Sequence, residues 1–300
     1  MDTVKLIMPD PNLPFALPTL DVSGLKRKYL DLAYAGTEHP SQTLDLYLPD
    51  EGEGPFPLII FIHGGAFTGG DKRDSQVVYY MNGIRRGYAV ASLNHRLSSE
   101  SKFPESVYDV KAAVRFLRGN AKRFCLDPKR FAASGSSAGA YFAAMLGCTA
   151  GVPAFEDLSM GYPEEDSSVQ AVIGLFGVYD LLWCSRFSAN APAMPNGTKI
   201  PNFADVYLGL NCREHPELVS VTWPGSYVTK DCPPTLIEGG TADQVVPYEA
   251  SPAMVDRINA VCGEGRATLQ VMEGCTHAHA DYGSPENEAR LFAFLDKVLK

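Results

Sequence analysis

The sequence predicts an α/β protein with a mostly parallel central sheet and helices on both faces. Strand-sized apolar runs recur along its 300 residues, and helix-length segments with one apolar stripe fall between them. One run, Leu58-Ile59-Ile60-Phe61-Ile62, is apolar at every position, as expected of a strand covered on both sides.

The elements follow in order. Residues 1 to about 25 carry Pro9, Pro11, Pro14 and Pro18, which excludes a regular helix and predicts an extended arm lying against the body. Gln42 to Leu48 alternates polar and apolar residues and reads as a half-buried strand. Leu58 to Ile62 is the central strand, ending at the glycine-rich stretch His63-Gly64-Gly65-Ala66-Phe67-Thr68-Gly69-Gly70. Tyr88 to Leu93 is the next strand. A helix is predicted from about Pro104 to Phe124, with Val107, Val110, Val114, Leu117 and Ala121 inward and Lys111, Arg115, Arg118 and Lys122 on a wet face. Phe131 to Ser134 is a short strand, and Ala138 to Leu146 has the alanine-rich composition of a buried helix. Val169 to Phe176, Thr235 to Ile237 and Ala267 to Met272 read as strands, Asp256 to Val261 lies in a helix, and Glu286 to Leu299 is a closing amphipathic helix. The interval from about 179 to 231 breaks this rhythm. Its scattered aromatics (Trp183, Phe187, Phe203, Tyr207, Trp223) and prolines read as a cap-like insertion between two strands, expected to lie over a functional site at the strand ends. Those aromatics suit either core packing or stacking on a ring of a bound molecule. No internal repeat appears, so residues 1–300 read as one domain.

Composition narrows the function classes. A formal net charge of −9 argues against nucleic acid or an anionic membrane as partner, because both would repel the chain. No stretch approaches the roughly 18 apolar residues of a membrane helix. The N-terminus lacks the basic start and apolar run of a signal peptide. Seven cysteines (125, 148, 184, 212, 232, 262 and 275) contain no C-x-x-C pair and no Cys/His ligand spacing. The expectation is a reduced, cytoplasmic protein with mostly buried thiols, a trimmed secretory chain being the alternative.

The chemistry gathers at Gly135-Ser136-Ser137-Ala138-Gly139, a G-x-S-x-G pattern between a predicted strand and a predicted helix. The glycines relieve crowding at a sharp bend, and the helix start offers free N–H groups to a developing oxyanion. Ser137 is the nucleophile candidate; its neighbour Ser136 lacks glycines at both two-residue offsets. A serine needs a base and an orienting acid, in the order Ser, Asp/Glu, His. Asp243 follows the strand near Thr235 and is the acid candidate, with Asp180 after an earlier strand as its competitor. Only His277 and His279 follow Asp243, and order alone leaves them nearly equal; the short separation from Gly274 favours His277. The loop His63-Gly64-Gly65-Ala66 completes the set. The N–H groups of Gly65, Ala66 and Ala138 are expected to converge as an oxyanion hole, with His63 and Gly64 bracing the loop.

These residues resemble the HGG-type esterases of the α/β-hydrolase superfamily. That group includes hormone-sensitive-lipase-like carboxylesterases and, more closely, the bacterial acetyl-xylan and feruloyl esterase-like enzymes. The resemblance covers about residues 40 to 300. It rests on His63-Gly64-Gly65-Ala66-Phe67 with Gly70-Asp71-Lys72, Asn94-His95-Arg96-Leu97-Ser98, Phe103-Pro104 through Leu117, and Leu126-Asp127-Pro128. The elbow at Ser137, Gly240-Thr241-Ala242-Asp243 with Val246-Pro247, and Glu273-Gly274-x-x-His277 complete it. The family's terminal loop pattern falls on His277 and not His279. Two departures stand out: Ala66 replaces the third glycine of the oxyanion loop, and Ala140 the usual glycine after the elbow. Alanine keeps its N–H donor, so the hole should work with a slightly tighter acyl pocket.

The resemblance implies an α/β-hydrolase fold and a serine carboxylesterase that cleaves short-chain acyl esters through an acyl-enzyme. Acetyl or hydroxycinnamoyl groups on plant polysaccharides are the substrates it suggests. It implies no cofactor and no metal, and a small-molecule or carbohydrate ester as partner; the oligomeric state stays open. An amidase of arylformamidase-like type and a catalytically inactive binding protein are the alternatives. The complete set of serine, acid, histidine and oxyanion loop weighs against the second.

Overall fold

A computed structural model describes residues 5–8, 17–190 and 202–300. The strands are β1 (Leu6–Ile7), β2 (Thr19–Leu20), β3 (Lys28–Ala33), β4 (Thr43–Tyr47), β5 (Phe56–Ile62), β6 (Ala89–Leu93), β7 (Leu126–Ser136), β8 (Ala171–Leu175), β9 (Thr235–Gly240) and β10 (Ala267–Met272). The helices are α1 (Val78–Met81), α2 (Glu105–Gly119), α3 (Ala138–Cys148), α4 (Leu181–Asn190), α5 (Phe203–Leu208), α6 (Pro216–Val219), α7 (Ala250–Cys262) and α8 (Pro285–Leu299).

Eight strands form one sheet in the order β10-β9-β8-β7-β5-β6-β4-β3. The six from β10 to β6 pair in parallel, and β4 and β3 add antiparallel at one edge. The alternation of side chains along β5 explains the three layers. Leu58, Ile60 and Ile62 enter the core shared with α2 and α3, whereas Ile59 and Phe61 enter the one shared with α1 and α8. A solid apolar run was therefore required. Burying both faces of one strand leaves no position for a polar residue that lacks a buried partner.

Register sets where the chemistry falls. Ile62 lies opposite Gly135, Ser136 opposite Leu175, Leu175 opposite Glu238, and Gly240 opposite Met272. The C-terminal ends of five parallel strands thus open on one edge, where α/β sheets collect their ligands.

Several local expectations are corrected. The helix α2 ends at Gly119 rather than Phe124, and of its expected wet cations only Lys122, beyond the helix end, is exposed. Lys111, Arg115 and Arg118 are buried, because residues 153–168 fold back over that face. Lys111 Nζ donates to Thr149 O and to Glu156 Oε1, both at 2.8 Å. Arg115 pairs with Glu156 and donates to Asp157 O, and Arg118 donates to Ser168 O. Each buried cation is hydrogen-bonded, the condition under which burial is tolerated.

The strand β4 is buried beyond Thr43, not half-buried, since β3 and β6 flank it. Its Asp45 pairs with Arg73 and accepts from Tyr47 Oη. The edge strand β3, which alternates half-buried and exposed residues, had no counterpart in the sequence reading. Within the N-terminal arm, β1 pairs antiparallel with β2, and Leu20 N donates to Arg73 O at 2.6 Å. Pro9, Pro11 and Pro14 lie outside the described residues.

Between β8 and β9 the chain makes the insertion, with α4, α5 and α6. Phe203 and Tyr207 are core residues there, whereas Trp183 is partly exposed. Among the described residues no helix is long and apolar enough to cross a membrane.

Candidate active site

Ser137 stands between the last residue of β7 and the first of α3, at φ 53° and ψ −119°. A residue with a Cβ holds that backbone only when its surroundings over-determine it. They do so here. Ser137 N donates to Leu175 O at 2.9 Å, and Val178 N donates to Ser137 O at 3.1 Å. Gly135 and Gly139 are required by contact: a Cβ on the first would overlap the Gly139 carbonyl, and one on the second would overlap Ile62 O. Ser136 points away and hydrogen-bonds Gln76 Oε1.

His277 Nε2 lies 3.0 Å from Ser137 Oγ, and His277 Nδ1 lies 2.7 Å from Asp243 Oδ2. The other carboxylate oxygen, Asp243 Oδ1, accepts from the N–H groups of Val245 (2.8 Å) and Val246 (2.9 Å). With both its backbone donors on Oδ1, Asp243 presents Oδ2 to the imidazole. That favours the tautomer with its proton on Nδ1 and a free lone pair on Nε2. Phe176 closes the side of the ring, edge to face at 4.9 Å. The competitors do other work. Asp180 accepts from Trp183 N in the first turn of α4, and the half-exposed His279 accepts from Asp281 N.

The loop after β5 packs on this elbow. A Cβ on Gly64 would come within 3.1 Å of Ser137 Cβ. Gly64 N donates to Gln76 Oε1 at 3.1 Å. The next residues turn sharply, with Gly65 at φ 121° and Ala66 at φ 55°. Thr68 N and Gly69 N both donate to Gly65 O. A Cβ on Gly65 would overlap Gly69 O, so this position must be glycine. The N–H groups of Gly65 and Ala66 meet no protein acceptor among the described residues. That of Ala138 is the first of α3, ahead of any intrahelical acceptor. His63 is buried, with Nδ1 2.7 Å from Gly64 O and its ring stacked on His95 at 4.7 Å. Burial holds His95 down at about 3, so it stays neutral in this stack. Phe67 stacks on Tyr207 of α5, centroids 4.1 Å apart, tying the loop to the insertion.

A family model, BD-FAE, matches residues 44–258. The chain belongs to the BD-FAE family. It is 30% identical over 227 residues to Esterase LipC of Mycobacterium tuberculosis, covering 75% of this chain and 54% of that one. The chain spans about half the length of the curated relatives it matches first. A truncated form of a carbohydrate esterase from gut microbiota superposes with a TM-score of 0.79 at 27% identity, covering 91% of this chain and 96% of that one. A bifunctional GH43-CE protein of Bacteroides eggerthii gives a TM-score of 0.78 at 27% identity, covering 91% of this chain and 38% of that one. The α/β-hydrolase fold is shared with these structures.

The BD-FAE match runs from β4 into α7. It includes Ser137 and Asp243 and stops short of His277, which β10 brings alongside by pairing in register with β9. Two contributors in this BD-FAE chain escape sequence reasoning. Gln76 accepts from Gly64 N and from Ser136 Oγ, while its Nε2 donates to Asp74 Oδ2 at 3.0 Å. Asp74 itself caps the short turn at 75–77 by accepting from Gln76 N. An aspartate two residues before a glutamine is the one available signal, and it points to a turn, not to a site. Phe176, one residue beyond β8, carries no signal except its place at a strand's C-terminal end.

Proposed function

We propose that this protein is a serine carboxylesterase that cleaves short-chain acyl esters, with esters on carbohydrates as the natural class. The observation that carries the reading is the hydrogen-bonded chain Ser137 Oγ–His277 Nε2 at 3.0 Å and His277 Nδ1–Asp243 Oδ2 at 2.7 Å. His277 Nε2 takes the Ser137 proton as Oγ attacks the ester carbonyl, and Asp243 steadies the imidazolium that forms. The N–H groups of Gly65, Ala66 and Ala138 receive the negative oxygen of the tetrahedral intermediate. The intermediate collapses by expelling the alcohol, which takes its proton from His277. Water, deprotonated by the same nitrogen, then releases the acid from the acyl-serine.

The names of structural relatives, a carbohydrate esterase and a bifunctional GH43-CE protein, support the sugar-ester class. The insertion packs against the oxyanion loop and α3. Its support is the Phe67–Tyr207 stack and the hydrogen bond from Tyr141 Oη on α3 to Thr222 O at 2.8 Å.

Ser137→Ala decides the reading. Hydrolysis of p-nitrophenyl acetate and labelling by a fluorophosphonate probe should both vanish while the thermal midpoint holds. Retention of more than a few per cent of the activity refutes the nucleophile assignment. A panel of acetyl, butyryl and feruloyl esters beside acetylated xylan then reads acyl and alcohol preference, and a formanilide arm tests the amide alternative.

A further inference from the structure

From the loop that carries His277, we propose that Cys275, His279 and Asp281 form a binding site for a zinc-class divalent cation. The site is separate from the esterase reading and uses none of its three residues. One donor atom from each residue lies within 4.8 Å of the other two. Cys275 Sγ is 3.6 Å from Asp281 Oδ2, and His279 Nδ1 is 3.6 Å from Asp281 Oδ1. Tetrahedral zinc, with bonds of about 2.3 Å to sulfur and about 2.0–2.2 Å to nitrogen and oxygen, keeps its ligand atoms roughly 3.3–3.6 Å apart. Asp281 thus offers one carboxylate oxygen to each neighbour at about that spacing, and with all three donors within 4.8 Å a small side-chain rotation brings one oxygen, the sulfur and the nitrogen onto one ion.

The donor set has the right chemistry. A thiolate, an imidazole and a carboxylate together select zinc-like ions over magnesium or calcium, which take oxygen ligands. The local fold holds the donors in place. Met272 O accepts from Cys275 N at 3.2 Å, and Cys275 O accepts from Ala242 N at 3.1 Å. The turn at Ala280–Gly283 then brings Asp281 back over Cys275. Cys275 is buried, whereas the His279 and Asp281 side chains are 40% and 61% exposed. The cation thus enters from solvent and rests on a sulfur floor, with its fourth position open to water. Binding replaces the 3.3 Å hydrogen bond from Asp281 N to His279 Nδ1 and displaces the thiol proton, which leaves to solvent. His277, two residues from each flanking ligand, keeps both ring nitrogens for Ser137 and Asp243.

The test is competition between the intact protein and a chromogenic chelator for Zn²⁺. Thermal midpoints with and without Zn²⁺, and the thiolate charge-transfer band of the Co²⁺ form, accompany it. The wild type should bind one equivalent, release a proton and melt higher with the metal, since a ligand of the native state alone stabilises it. His279→Ala, at an exposed position, should weaken binding at least tenfold, and Cys275→Ser should also abolish the Co²⁺–thiolate band. His277→Ala should bind as the wild type does. Equal zinc uptake by wild type and His279→Ala, or loss confined to His277→Ala, overturns the proposal. Neither result bears on Ser137 as nucleophile.

Discussion

Glu238 should make stability fall as pH rises toward neutrality, and Glu238→Gln should remove its share of that dependence. Its side chain is fully buried in β9. Oε2 accepts from Asn287 Nδ2 at 2.7 Å, but Oε1 has no hydrogen-bond partner, and Arg290 Nη1 stands 4.0 Å off on a partly exposed side chain. Burial without full pairing pushes the carboxyl from 4.5 to about 7, against the smaller opposing pulls of Asn287 and Arg290. The folded state therefore binds the proton more tightly than the unfolded chain does. Its stabilising contribution is complete below pH 4.5 and lost as pH rises through about 7. At about 1.36 kcal/mol per pH unit, that window holds roughly 3 kcal/mol. Glutamine keeps an acceptor for Asn287 and never ionises. Calorimetric midpoints of both proteins between pH 5 and pH 8 read the effect, because every other titrating group cancels in the difference. The variant should gain on the wild type by about 2 to 3 kcal/mol over that range, or roughly 2 °C per kcal/mol. A difference that stays flat with pH, or that turns against glutamine as pH rises, refutes the reasoning.

Two further substitutions probe the positioning of the site. Asp243→Asn keeps an oxygen for the Val245 and Val246 N–H groups and so turns its NH₂ toward His277 Nδ1, which then cannot donate. Turnover of p-nitrophenyl acetate should drop by roughly 10⁴ with the fold intact; retention of a tenth of the rate would show that the acid does not set the tautomer. Gln76→Met matches the shape but leaves Gly64 N and Ser136 Oγ without their acceptor, which should cost about 1–3 kcal/mol of stability. Loosening the oxyanion loop should also cut kcat roughly 10- to 100-fold with little change in KM. A lower midpoint with kcat unchanged would confine Gln76 to structural support.

The parts of this fold that are legible in the sequence are those whose cause is local. A strand buried on both faces is apolar wherever no buried partner awaits a polar side chain, so β5 is visible in five consecutive letters. A serine held at positive φ between two packed surfaces needs glycines two residues away on each side, so Ser137 is visible in five more. Order along the chain narrows the proposed base to His277 and His279 but does not separate them. They are two residues apart, and only the turn at Ala280–Gly283 swings the second onto Asp281.

What is not legible depends on segments that arrive later. Lys111, Arg115 and Arg118 have the spacing of a solvated helix face, and nothing within α2 reveals that residues 153–168 will cover it. The decisive letter is Glu156, some forty residues on, which takes both Lys111 and Arg115. Gln76 hides for the same reason, since its partners Gly64 and Ser136 come from two other strand ends. Removing Glu156 alone would leave two buried cations competing for backbone carbonyls, which makes it a partner the stripe requires and not an incidental surface acid. A charged periodicity therefore reports helix geometry. Whether its charges meet water or an acid is settled by tertiary contact.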